Sequence, residues 1–183
     1  INPLGVTESG NLIALDARVI VDDNSLYRQP KLSALNSRAD VGSAEQTAAR
    51  FGFNYLRLDG NIGVFSSGAG LAMATIDAVN HFGGKPANFL DIPPILEMDR
   101  VREAFLLVLE NQNMDCLLVN IFGAGIMRCD TIADALLLAN LEKPISIPII
   151  LRLAGTNSSL AISRLENCDL PVEFAVDLAS AAR

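Results

Sequence analysis

Residues 120–130, NIFGAGIMRCD, run from an apolar stretch through two glycines into residues suited to start a helix. Glycine lets a backbone approach a ligand closely, and the unpaired N–H groups at a helix start, helped by the macrodipole, favour an anion. The chemistry such a loop offers is the holding of an anion by main-chain donors. SSGAGLA, residues 66–72, has the same form. DIPPILEMD, residues 91–99, does not: Pro93 and Pro94 each remove an N–H and fix φ, leaving a stiff loop poor in donors. A fourth loop, AGTNSS, occupies residues 154–159.

Other residues offer less. Gly68-Ala69-Gly70 before a helix, with Asp91 about 20 residues on, has the layout of a dinucleotide fingerprint, but Met73 replaces its third glycine. A nicotinamide or flavin site and a plain tight turn are both compatible with it. His81, the single histidine, precedes Phe82-Gly83-Gly84 at a helix end, where a cation complements the dipole. No carboxylate, serine or cysteine stands in a motif relation to it. Cys129, near a helix start, is either a thiol of lowered pKa or a buried small residue. Asp130 and Thr131 are expected as N-caps. No catalytic triad or metal cluster emerges, so no catalytic side chain is assigned within this chain.

The elements that position these loops follow from composition and periodicity. The 183 residues are 50% hydrophobic and 19% charged, enough for one ordinary domain with a core but not for a second large one. With 21 acidic against 14 basic residues, a net charge of -7 lacks the cationic footprint that nucleic acid requires. No apolar run approaches the roughly 20 residues of a membrane span, and no signal peptide is evident. Cys116, Cys129 and Cys168 fit neither a disulfide framework nor close zinc-ligand pairs, which points to a reducing cytoplasm. The chain begins at Ile1, and INPLG reads as the middle of a segment, so a longer parent polypeptide is expected.

Residues 1–21 contain short β-prone runs around the turn signal TESGN and predict a hairpin without a core of its own. Residues 22–54 turn polar, with Pro30 and Gly42 as breakers and a short helix led by Ser43, and predict a connector. From residue 55 to 183, strand candidates at 55–58, 62–66, 87–90, 116–122, 147–153 and 172–175 alternate with helical patterns at 70–82, 99–112, 130–142 and 157–166. LDGN is expected to join the first two strands as a hairpin. CLLVNIF and SIPIILRL are apolar on both faces for most of their length, as in a parallel sheet covered by helices on both sides. The expected architecture is an α/β, flavodoxin-like, doubly wound parallel sheet, which binds ligands at the carboxyl ends of its strands.

Taken in order, INPL, ALDAR, RQP, NYLRLDGNIG, GAGLAMATID, GGKPANFLD and LVNIFGAGIMRCDTIADAL resemble the C-terminal part of the β subunit of succinyl-CoA synthetase, a succinate–CoA ligase forming ADP or GDP. The resemblance implies that residues 1–21 are the last hairpin of an ATP-grasp domain and residues 55–183 the CoA-ligase domain. It implies ATP or GTP and Mg²⁺ bound by upstream sequence, and a partner α subunit carrying CoA and a phosphorylated histidine. Asn2 and Asp16 match the family's magnesium ligands. Gly125, Ile126 and Met127 match its succinate-contacting loop, and Arg128, Cys129 and Asp130 the start of its phosphate-directed helix. The substrate would be a small dicarboxylate, the setting cytoplasm or mitochondrial matrix, and the isolated chain inactive.

Three departures from the family pattern cluster around substrate. Ser67 stands where the family has a substrate-contacting asparagine. DIPPIL replaces a glycine-rich DVGGGA, and FGAGIM is one residue longer than the usual FGGIV, with Ala124 as the apparent addition. They leave open a relative acting on malate or citrate, or an inactive relative retained for assembly.

Overall fold

The computed structural model describes residues 1–34, 43–93 and 97–183. Chain contacts divide it into two units, Ile1–Asp40 and Val41–Arg183. In the first, β1 (Leu4–Val6) and β2 (Leu12–Ala14) pair antiparallel with Gly5 opposite Ile13. Thr7 and Asn11 close the turn, Gly10 adopting φ +83°. Residues 1–22 contain no buried side chain, so this hairpin has no core of its own. A short 3-10 segment (Asp23–Arg28) and α1 (Pro30–Ala34) follow.

The second unit carries α2 (Ser43–Phe51), β3 (Asn54–Arg57), β4 (Ile62–Ser67), α3 (Ala69–His81), β5 (Asn88–Ile92), α4 (Met98–Leu109), β6 (Cys116–Arg128), α5 (Cys129–Glu142), β7 (Ile149–Thr156), α6 (Ser158–Glu166), β8 (Val172–Phe174) and α7 (Leu178–Ala182). The sheet order is β3-β5-β4-β6-β7-β8, parallel throughout except for β3 at one edge. Leaving β3 aside, this is the 2-1-3-4-5 order of flavodoxin-like sheets. Helices α4, α5 and α6 pack on one another over one face, and α3 with α7 over the other.

The main core lies under α4, α5 and α6. The buried rings of Phe65 on β4 and Phe105 on α4 stack with centroids 3.9 Å apart, fixing α4 to the sheet. On the other face the buried cluster is small: Val79, Leu118 and Ala181. Between the Ile62–Pro86 bridge and the ladder that starts at Ser66–Asp91, β4 is not paired to β5. The buried Asn88 side chain stands in for a neighbouring strand there, accepting from Val64 N at 3.0 Å and donating to Val64 O at 2.7 Å.

The expected hairpin between the first two strands of this unit is not formed. β3 pairs antiparallel with β5, and β4 lies between β5 and β6. Residues 63–67 of β4 are all buried and need neighbours on both sides, a place that half-exposed β3 does not fill. The loop between them passes the start of β5 instead: Leu58 N donates to Ala87 O, and Asn61 N and Ile62 N to Lys85 O. A Cβ on Gly60 would lie 2.1 Å from Lys85 O and 2.2 Å from Pro86 O, so only glycine fits this crossing. Gly60→Ala is expected to cost about 2 kcal/mol by overpacking and to lower the melting temperature by roughly 6 °C, read by thermal denaturation.

Gly42 in the connector and Pro94 in the second loop lie outside the described residues; Pro93 is exposed just after β5. Among the described residues no helix is long and apolar enough to cross a membrane.

Candidate functional site

The strand order reverses between β4 and β6, and the chain leaves their carboxyl ends towards opposite faces, into α3 and α5. The crevice between those ends is where an open parallel sheet takes its ligand. Gly68 (φ +90°) links β4 to α3 and caps it with no side-chain hydrogen bond. A Cβ on Gly68, Gly70 or Gly125 would meet nothing within 4 Å, so the rim of the crevice is bare backbone facing open space.

β6 is not one continuous ladder. Gly123 pairs with Gly155, and the next pair is Arg128 with Thr156, so residues 124–127 leave the sheet as an excursion. Gly123 and Gly125 permit it with φ of +147° and +88°, which side chains disfavour. Ile126 at its tip is 59% exposed, whereas the Met127 side chain is 4% exposed and belongs to the core. Met127 therefore offers only main chain to a ligand. Gly125 N donates to Thr156 Oγ1 at 3.2 Å. Across the crevice, Ser67 is buried and its hydroxyl points at Phe122 O, 3.5 Å away. Of the expected substrate-facing residues, Gly125 and Ile126 are open at the carboxyl ends of the strands, whereas Ser67 and the Met127 side chain are buried, Ser67 turned towards β6.

The start of α5 differs from the expectation in two respects. Neither Asp130 nor Thr131 is an N-cap; Arg128, extended because it is still paired to Thr156, holds that position, and the helix begins at Cys129. Asp130 lies inside the first turn with its carboxylate buried. It accepts from Arg128 Nε at 3.2 Å, Arg128 Nη2 at 2.5 Å and Asn157 Nδ2 at 3.0 Å. The Arg128 guanidinium, with help from Asn157, holds that carboxyl well below the usual range against the opposing effect of burial. Cys129 is fully buried, and desolvation pushes its thiol up rather than down, so it is not an activated nucleophile. An anion approaching α5 meets the exposed Arg128 and main-chain N–H groups rather than an open carboxylate.

Other placements bear on the alternatives. Asp91, the acid of the possible dinucleotide fingerprint, accepts from Asn54 Nδ2 of the antiparallel edge strand at 3.2 Å. One of its two carboxylate oxygens is thereby engaged within the sheet. His81 ends α3, remote along the helix from the crevice, with its ring edge-on to Phe82. A cavity of about 650 Å³ opens at the amino ends of the strands, lined by Arg57, Asn61, Lys85 and Asn111. Its polar groups are partly spent on one another, Arg57 reaching Asn111 and Asn61 reaching Asp115.

In the first unit, Leu15 N donates to Pro3 O, extending the β1–β2 pairing by a step, so that Asn2 and Asp16 follow on facing strands at the open end of the hairpin. Both are exposed, and Asp16 Oδ1 accepts from Ala17 N at 2.8 Å. Two hard oxygen donors so placed fit part of a magnesium shell, which takes about six. Among the described residues no group of three or more His, Cys, Asp or Glu could hold a metal.

Sequence reasoning missed two sets of residues. The first is the floor of the crevice on the α3 face. Arg152 on β7 donates to Asn120 Oδ1 at 3.2 Å and lies 4.9 Å over the Phe122 ring, while the buried Asn120 donates to Thr75 Oγ1 at 2.8 Å. An arginine inside the otherwise apolar SIPIILRL was the available signal. The second is the end of β7 and the start of α6, Gly155 to Asn157, which touches the 123–130 segment at every step. Asn157 adopts φ +61°, a conformation asparagine tolerates, and directs its amide to Asp130 instead of capping its own helix.

A model of the CoA-ligase family matches residues 65–182. The chain is 46% identical over 183 residues to the succinate–CoA ligase (ADP-forming) subunit beta of Vibrio atlanticus, covering 100% of this chain and 47% of that protein. The same subunit of Actinobacillus pleuropneumoniae is 48% identical over the same shares. The chain thus spans about half the length of the curated relatives it matches. Among solved structures, ATP citrate lyase from Methanothrix soehngenii, in complex with citrate and coenzyme A, aligns with a TM-score of 0.76 at 16% identity. That alignment covers 98% of this chain and 52% of the other, and it shows a shared fold.

Proposed function

The chain belongs to the CoA-ligase family, and on that premise we propose that it is the ligase domain of a succinate–CoA ligase β subunit, ADP- or GDP-forming. Together with an α subunit it would make succinyl-CoA from succinate, CoA and a nucleoside triphosphate. The observation that carries this reading is the crevice between β4 and β6, whose rim is glycine backbone and whose adjoining helix start presents N–H groups and Arg128. Phosphoryl transfer rests on positioning and charge stabilisation more than on acid–base side chains, which suits a site built of main chain.

In this reading the excursion at Gly125, Ile126 and Met127 orients the substrate carboxylate, with Ser67 opposite. The start of α5, at Arg128, Cys129 and Asp130, faces the phosphorylated histidine of the α subunit. Arg128 supplies positive charge, and its pairing with Asp130 keeps that acid from repelling the phosphoryl group. The buried Cys129 only packs. Asn2 and Asp16 would contribute two oxygens to a magnesium ion shared with an upstream ATP-grasp domain, which binds the nucleotide. Magnesium supplies charge neutralisation for the nucleotide phosphates when bound. CoA would bind on the α subunit.

Ser67 and the Ala124-containing excursion support a second reading, a malate- or citrate-CoA ligase, because both departures lie at the carboxylate end of the crevice. An inactive relative kept for assembly is the third outcome. Co-expression of the full-length subunit with its α partner, followed by CoA-dependent ADP formation with succinate, malate and citrate, separates them. Turnover is expected with one of these acids. A stable complex that turns over none would sink the enzyme reading.

A further inference from the structure

Three consecutive residues, the last two of β7 and Asn157 at the N-cap position of α6, are committed to the segment from Gly123 to Asp130. Gly155 lies so close beneath it that a Cβ there would stand 2.6 Å from Met127 O and 3.0 Å from Cys129 Sγ. Thr156 pairs with Arg128 in the sheet and also accepts the Gly125 amide on its hydroxyl at 3.2 Å. Asn157, held at φ +61°, binds the Asp130 carboxylate at 3.0 Å. Each contact fixes a different part of the segment: Gly155 its return, Thr156 its middle, Asn157 the helix it enters.

The middle is the part most in need of a tether. The return of the excursion is held by the buried Met127 side chain, and its two ends by the pairs Gly123–Gly155 and Arg128–Thr156. Gly125 has no side chain to anchor it, and a Cβ at that position would meet nothing within 4 Å. The hydrogen bond that its N–H donates to the Thr156 hydroxyl is what restrains it. We infer that Thr156 is a positioning residue: its hydroxyl sets the height of the Gly125 turn above the crevice and thereby tunes affinity for the carboxylic acid substrate. The inference rests on the proposed ligase function, since it assigns the crevice to that acid. Thr156 does not touch the reacting atoms and acts only through the loop.

The test uses the full-length subunit assembled with its α partner. Thr156→Val keeps the shape and β-branching and removes the acceptor; Thr156→Ser restores the acceptor. For Thr156→Val, hydrogen exchange of the peptide spanning residues 123–128 should quicken. The KM for the acid should rise about fivefold, the loss of one ordinary hydrogen bond, with the KM values for CoA and nucleotide unchanged. Thr156→Ser should bring both readouts back to within about twofold of wild type. Unchanged exchange and unchanged KM in Thr156→Val would overturn the inference. So would an equal rise in all three KM values, which is the mark of general destabilisation. A wild-type complex without turnover would remove the ligase reading alone, because loop exchange in Thr156→Val still decides whether the tether exists.

Discussion

Gly155→Ala is expected to lower kcat/KM for the acid about a hundredfold, the loss that displacing a reacting group by about 1 Å produces. Gly155 has ordinary strand geometry, so alanine strains no backbone angle. The conflict is steric: the new methyl would meet the Met127 carbonyl at 2.6 Å, and backbone cannot swing aside as a side-chain tip can. The excursion must lift, carrying Gly125 and Ile126 with it, while the strands on either side stay laddered. Steady-state kinetics of the full-length complex against wild type checks this, with thermal denaturation as the control. Activity within about twofold of wild type would show that the loop's position is not what the crevice depends on.

Asp130→Ala should destabilise the fold by about 2 kcal/mol at neutral pH, chiefly because it leaves Asn157 without its acceptor and removes a buried group from the first turn of α5. Arg128 is exposed, and its bond adds little because water screens it. The pH dependence carries a definite sign. Arg128 depresses the carboxyl in the folded state, so its stabilisation is complete above the ordinary carboxylate pKa of about 4. It is lost progressively as the pH falls from there towards the depressed native value. The stability gap between wild type and Asp130→Asn, measured by urea unfolding, should therefore be constant from neutral pH down to about 5 and narrow below about 4. A gap independent of pH would mean that the carboxylate gains nothing from its charge.

The order of these elements could be read from residue patterns, because two-sided apolar strands and amphipathic helices leave periodic traces. Of the connections, the one that failed was local in appearance. LDGN has the composition of a tight hairpin, yet Gly60 serves to slip under the Lys85 carbonyl so that β5 can enter between β3 and β4. Composition shows that a glycine is needed; it does not show which backbone comes close. The same limit explains the site. The glycines of NIFGAGIMRCD announced a loop at the carboxyl end of a strand, but its exits are set by pairing to β7, about thirty residues on. Asp130 had the residue type of a cap, and only the pairing of Arg128 with Thr156 moves it inside the helix and buries it. Thr156 and Asn157 looked like loop polarity, since nothing in AGTNSS says that its side chains reach for another loop.

The break in the β6 ladder bears on how this scaffold changes over evolution. Pairing stops at Gly123 and resumes at Arg128, and both ends are locked to adjacent residues of β7. The length in between is thus uncoupled from the register of every strand and from the phase of α5. Ordinarily one inserted residue in a strand turns each following side chain to the wrong face; here it only lengthens a bulge whose ends are pinned. A residue gained or lost between those ends is a change the sheet does not feel, so the loop at the carboxyl ends of the strands can vary in length without refolding the domain that presents it.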